Sequence, residues 1–301
     1  ALGAPEAPAA KPNRFFAGWI RTVTAAPIVT IIVVVAGLGA LGIPALHMRL
    51  ALPDAGVLPA DNEARITHEL IAENYGAGYN GPLIVTTPIL KTQDPLGLME
   101  SLSDEIREVP GVADIALATP NPSVDTGIIQ VIPESDGRSA ETAQLVHDIR
   151  GLHDRLADEY DVDIAVTGMT AVGVDVSQKL SSALLPFALV VVGLSLVLLT
   201  IVFRSIAVPI IGVIGYLLSV ISAFGVVTLV FEDGFMADAL GVTALGPIIN
   251  FMPLVTMGIL FGLSMDYQVF LVSRMREDYV HTGKARKSVY TGFLGSAKVV
   301  A

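Results

Sequence analysis

Along residues 258–279, GILFGLSMDYQVFLVSRMREDY, the residues Gly258, Gly262, Asp266 and Phe270 recur at every fourth position. That spacing puts all four on nearly one stripe of a helix. Gly258 and Gly262 make a GxxxG pair, which lets a second helix backbone approach closely, so the stripe is expected to pack against protein and not lipid. Asp266 sits on it inside an apolar run, with the hydroxyls of Ser264 and Tyr267 expected to flank it. An ionised carboxylate in hydrocarbon costs at least ~3 kcal/mol on insertion scales, so the surroundings favour the protonated acid. Each proton gained or lost then changes how this helix packs. The chemistry suits proton coupling, with Asp266 as the carrier, Tyr267 hydrogen-bonding to it and Ser264 in support. Plainer roles use the same residues: a lone intramembrane aspartate can pin two helices, GxxxG pairs are common, and SRMRED is a stop-transfer charge cluster. The conjunction carries the functional reading.

That chemistry needs a membrane around the aspartate. Only 16% of the 301 residues are charged and 52% are hydrophobic, against about 25% charged in soluble domains. Apolar runs occupy residues 27–46, 184–203, 206–231 and roughly 248–272, each near the ~20 residues that cross a ~30 Å hydrocarbon core. They are read as four transmembrane helices. A rise of ~1.5 Å per residue puts Asp266 ~12 Å inside the Arg274 end of the last. No other Asp or Glu lies in any of the runs. Lys11, Arg14 and Arg21 precede the first run, and Arg204 separates the second from the third. Arg274, Arg276, Lys284, Arg286 and Lys287 follow the fourth, whereas Glu232, Asp233 and Asp238 mark the opposite side. This bias predicts cytoplasmic N- and C-termini in a multi-pass plasma-membrane protein.

Residues 47–182 then lie outside. They hold 22 acidic and 8 basic side chains, against 7 and 10 in the rest of the chain, an acidic character that argues against nucleic acid as a partner. The pattern predicts a strand at 82–90, an amphipathic helix at 94–109 opened by Asp94-Pro95, and strands at 112–119 and 126–133 around PNPSVD. A helix at 139–160 with Ser139 as N-cap and a strand at 161–168 complete the order βαββαβ, the split-βαβ, ferredoxin-like motif. The expected architecture is an α-helical transmembrane bundle of four spans with an inserted extracytoplasmic α+β ferredoxin-like domain. Residues 1–13 read as an Ala/Pro-rich flexible linker, 14–46 as the first span, 47–182 as the outer domain, 183–276 as spans two to four, and 277–301 as a cytoplasmic interfacial helix. The chain starts on Ala1 and ends on Ala301 within a helical pattern, so a longer natural polypeptide is expected.

Other chemistries fit poorly. An intramembrane aspartyl protease needs two carboxylates and a Gly-x-Gly-Asp pattern, but here Ser264 and Met265 precede the one acid. The five histidines, His47, His68, His147, His153 and His281, are scattered and expected to be solvated. His147 and His153, six apart, have the wrong spacing to share a metal on one helix face. GAGYNG at 76–81 lacks the Lys-Ser/Thr of a phosphate-binding loop, and with no cysteine there are no disulfides or thiolate metal sites. The sequence therefore predicts no enzyme, no metal and no cofactor, with protons as the coupling ion. A membrane-anchored sensor is a competing class, distinguished by a cytoplasmic output domain.

GLSMDYQVFLVSRMREDY resembles the fourth-helix signature of the MMPL (mycobacterial membrane protein large) transporters of the resistance–nodulation–division superfamily. LLTIVFRSIAVPIIGVI (198–214), VTGMTAVGVDVSQKL (166–180) and LPDAGVLPADNEA (52–64) are similar to further stretches of that family, so the likeness covers residues 14–301. The resemblance implies a proton-motive-force-driven exporter of lipids or other hydrophobic molecules, built from two halves that each carry a porter domain after the first helix. It also implies that the chain is part of one half, closer to the second. Asp266 and Tyr267 map onto the family's relay pair, and Ser264 onto the adjacent motif position. The missing half is then a partner, and a homo-oligomer is compatible with the pattern. An auxiliary protein-export component of the same superfamily shares the architecture but not this motif.

Overall fold

The computed structural model describes residues 14–300; the linker expected at 1–13 lies outside the described residues. Along the chain come α1 (Arg14–Ala25), α2 (Pro27–Gly42), β1 (Leu50–Ala51), α3 (Glu63–Tyr75), β2 (Leu83–Pro88), α4 (Pro95–Arg107), β3 (Val112–Pro120) and β4 (Thr126–Pro133). There follow α5 (Ala140–Gly151), α6 (His153–Tyr160), β5 (Ala165–Thr167), α7 (Met169–Phe203), α8 (Ala207–Phe231), α9 (Ala237–Leu240), β6 (Ile248–Ile249), α10 (Met252–Thr282) and α11 (Ala285–Val300). Four helical stretches, Pro27–His47, Met169–Phe203, Ala207–Phe231 and Met252–Thr282, are long and apolar enough to cross a membrane.

The local chemistry explains these boundaries. Pro27 opens α2 in the first turn, where its missing N–H leaves no hydrogen bond unmade. The side chains of Asn62, Asp94 and Ser139 accept backbone N–H groups at the starts of α3, α4 and α5, which supplies donors that a helix terminus otherwise orphans. Between β3 and β4 the Asn121 side chain accepts from the N–H groups of Asp125 and Thr126. The Thr126 hydroxyl and the Asn121 amide hold the Asp125 carboxyl below the usual carboxylate range. Gly283, with φ +65°, separates α10 from α11, so the fourth apolar helix runs past the expected boundary at 276.

The chain divides into two compact units. One gathers the described residues through Leu46, Pro186–Val226 and those from Pro253 onward; the other holds His47–Leu185 with Val227–Met252. In the second unit β2, β3, β4 and β5 form an antiparallel sheet in the order β3-β4-β2-β5. Leu83 and Val85 of β2 and Ile129 and Val131 of β4 point into a core with Met99, Leu102 and Ile106 of α4, Leu145 and Ile149 of α5 and Leu156 of α6. Ile84, Thr86, Ile128 and Gln130 alternate with them on the opposite face and stay half-exposed. A second, two-stranded sheet pairs β1 with β6 in parallel. Beside it, Glu232 accepts the Arg49 N–H at 2.8 Å and faces the Arg49 guanidinium at 3.6 Å.

Leu102 is fully buried in this core. Leu102→Ala is expected to cost about 2–5 kcal/mol, read as an earlier unfolding transition of this unit in the purified protein; an unchanged transition would contradict the assigned core.

Candidate functional site

Two helices of the membrane unit, α8 and α10, are joined by polar contacts on an otherwise apolar interface. The Tyr216 hydroxyl donates to the Met257 carbonyl at 3.0 Å, and its ring meets Phe261 edge-on at 5.6 Å. Further along, Gln268 Nε2 donates to the Val208 carbonyl at 3.0 Å. A Cβ built at Gly212 would overlap the Gln268 carboxamide, so only glycine leaves room for it. Met257 and Met265 of α10 are also buried. Arg276 donates to the Val202 carbonyl at 3.1 Å, a cation set where the C-terminus of α7 presents unpaired carbonyls.

Elsewhere on α10 Gly258, Gly262, Asp266 and Phe270 are all exposed. Among the described residues nothing lies within 4 Å of a Cβ built at Gly258 or Gly262. The structure brings the four positions onto one stripe, but no described residue packs on it; the close helix packing lies elsewhere. Tyr267 is 44% exposed beside Asp266, and Arg274 lies 5.9 Å from the Phe270 ring centroid. Ser264 does not flank the stripe as expected. Two residues before Asp266, it falls about 200° around the helix and is half-buried on the side of Met265 and Gln268.

Close backbone approach occurs between α2 and α8. A Cβ at Gly225 would strike the Leu41 carbonyl, and one at Gly42 would lie 2.6 Å from Ile221 Cγ2. The Ser222 hydroxyl donates to the Leu38 carbonyl at 2.7 Å.

The other unit holds two cavities that share Ala51, Leu52, Pro53 and Arg138. Both are mostly apolar: one, about 340 Å³, has Arg49, Asp54, Asn80 and Thr170 among its lining residues, and the other, about 600 Å³, is lined by Val57, Val227, Phe231, Leu240 and Val242. His68 is not solvated as expected: its ring is half-buried, 3.7 Å from Asp54. Ligand atoms of Asp54, His68 and Asp136 lie within 4.8 Å of one another. The Arg138 guanidinium, 2.9 Å from Asp54 and 3.3 Å from Asp136, supplies the positive charge this group would otherwise seek in a metal ion.

Residues 91–301 match the model of the MMPL family. The chain belongs to the MMPL family. It is 40% identical over 285 residues to the membrane protein YdfJ of Bacillus subtilis, which covers 94% of the chain and 38% of that protein. It is 28% identical over 300 residues to the heme uptake protein MmpL11 of Mycobacterium tuberculosis, covering 97% of the chain and 30% of the relative. It is 26% identical over 294 residues to the mycolic acid-containing lipids exporter MmpL11 of Mycolicibacterium smegmatis, covering 96% and 30%. The MMPL family lies within the resistance–nodulation–division superfamily, and with its four apolar helices the chain is a multi-pass membrane protein.

In this MMPL chain sequence reasoning passed over Gln268, Gly212, Tyr216, Gly42 and Gly225. A glutamine and a tyrosine within apolar runs were the available signals, since each needs a hydrogen-bond partner there. The structure also generates a contrast between glycines. Gly225→Ala, forced into the Leu41 carbonyl, is expected to cost about 1–3 kcal/mol by overpacking, whereas Gly258→Ala meets open space. Thermal unfolding of the purified protein reads this difference, and equal transitions would contradict the α2–α8 seam.

Proposed function

We propose that the chain is part of a proton-motive-force-driven exporter of lipids or other hydrophobic molecules, in which Asp266 carries the proton. One observation carries the reading: the single acid of the apolar runs lies on the α10 stripe that no described residue covers, in line with two glycines that leave room for another backbone. Ionised against acyl chains, the carboxylate costs at least ~3 kcal/mol. A helix laid over Gly258 and Gly262 encloses it in protein instead. The chain spans 38% of the length of YdfJ, and the covering helix belongs to the remainder of the transporter, with its own Asp-Tyr pair completing the relay. Tyr267 adjoins Asp266 as its hydrogen-bonding partner, and Ser264 supports packing on the α8 side.

The rest of the arrangement supports the same reading. The sheet order β3-β4-β2-β5 with α4, α5 and α6 on one face suits a ferredoxin-like porter domain, and its cavities suit amphiphilic cargo. Arg21, Arg204, Arg274 and Arg276 lie at the ends of the apolar helices opposite Glu232 and Asp233, which supports cytoplasmic termini and an external porter domain in the plasma membrane. The names of the MmpL11 relatives, a lipid exporter and a heme uptake protein, support a hydrophobic substrate.

In the full-length transporter, Asp266→Asn is expected to abolish export of a labelled lipid driven by a pH gradient, with expression and membrane insertion intact. Wild-type export by that variant would remove the proton-carrier role. Gly262→Leu is expected to lower export as well by obstructing the covering helix, while the α8–α10 contacts hold; unchanged export would count against a partner on the stripe.

A further inference from the structure

Gln268 stands two residues beyond Asp266, about 200° around α10, so the two polar side chains point to opposite sides of one helix. The Gln268 carboxamide turns toward α8, where Nε2 donates to the Val208 carbonyl at 3.0 Å. It occupies the space that a side chain at Gly212 would fill. Its Oε1 is buried and has no hydrogen-bond partner among the described residues. A leucine of similar size would fill the same niche and leave no acceptor unmet. What the amide adds is direction, because its hydrogen bond singles out one carbonyl and one rotation of the helix. About three turns away along α10, the Tyr216 hydroxyl bonds to the Met257 carbonyl. A helix held at two such points resists both rolling and sliding against its neighbour.

We propose that Gln268 is a positioning residue for Asp266: its carboxamide, seated over Gly212, sets the rotation of α10 against α8 and so aims the carboxylate away from α8 along the stripe of Gly258 and Gly262. This rests on the reading of Asp266 as the proton carrier. Loss of the amide lets α10 roll, which moves the carboxylate relative to the helix that covers it and changes the pH at which it takes up a proton. Gly212→Ala reaches the same end from the other helix by expelling the carboxamide from its niche.

The test labels Asp266 in the full-length protein in membranes with dicyclohexylcarbodiimide, which reacts with protonated carboxyl groups in apolar surroundings. Peptide mass spectrometry across a pH series gives the midpoint of labelling. Gln268→Leu and Gly212→Ala are each expected to move that midpoint by about one pH unit, a tenfold change in the protonation equilibrium, and to lower pH-gradient-driven lipid export. Adding Gln268→Ala to Gly212→Ala is expected to leave the shift no larger, because the carboxamide is already displaced. Gln268→Met, unbranched like glutamine, gives a further well-packed variant with the same expected shift should either of the first two fold poorly. An unmoved midpoint in the folded variants would overturn the positioning role and leave the proton-carrier reading standing. No labelling of Asp266 in the unsubstituted protein at any pH would overturn both.

Discussion

Hydrocarbon offers a carboxylate neither water nor hydrogen-bond donors, and everything about α10 follows from carrying one. A helix that holds an acid at this depth must keep it neutral or surround it with protein. The chain does not surround Asp266 with its own described residues. It places the acid on a stripe with two glycines, one and two turns away, and no bulky neighbour over them. Steric room for a second backbone and an electrostatic need for one thus coincide on the same face. The tyrosine and glutamine contacts hold α10 to α8 without using any of the four stripe positions.

Within the membrane unit α8 is the post to which its neighbours are fastened. Lipid chains are as apolar as leucine, so helices there associate through close packing and hydrogen bonds and not through expulsion of water. The structure uses both devices: Gly225 admits the Leu41 carbonyl, Ser222 bonds to Leu38, and Gly212 admits the Gln268 amide. Each close approach needs a glycine on one helix and a filled space on the other. A methyl group added at Gly225 is therefore expected to be costly, whereas among the described residues nothing opposes one at Gly258 or Gly262. Stability of the unit and readiness of the exposed stripe are therefore assigned to different residues.

Much of the architecture was legible because length and hydropathy are one-dimensional signals. The four apolar runs became long helices, although α7 begins at Met169 and not near 184, since its polar early turns contain no proline. The strands around PNPSVD fell where alternation placed them, whereas the helix expected over 139–160 divides at Leu152, just after Gly151. The helix Glu63–Tyr75 was not anticipated, because it buries no residue fully and shows no apolar stripe. The stripe through Asp266 could be drawn from spacing alone, yet its neighbours could not. Contacts such as Gln268 with Gly212 join residues far apart in sequence and depend on which helices pair. For the same reason His68, polar and isolated in sequence, gave no sign of its place beside Asp54 and Arg138.

The central claim is that protein, not lipid, covers the stripe of α10. Because the chain contains no cysteine, one cysteine introduced at Phe270, the stripe position that already carries a bulky side chain, in a cysteine-free full-length protein can carry a nitroxide label whose collision rate with dissolved oxygen reports lipid exposure. Ile201, exposed on α7, and Met265, buried on α10, supply the lipid-facing and protein-facing references. The account predicts a collision rate at position 270 close to that at position 265. A rate as high as that at position 201 would put the glycines, and Asp266 with them, against the acyl chains and contradict it.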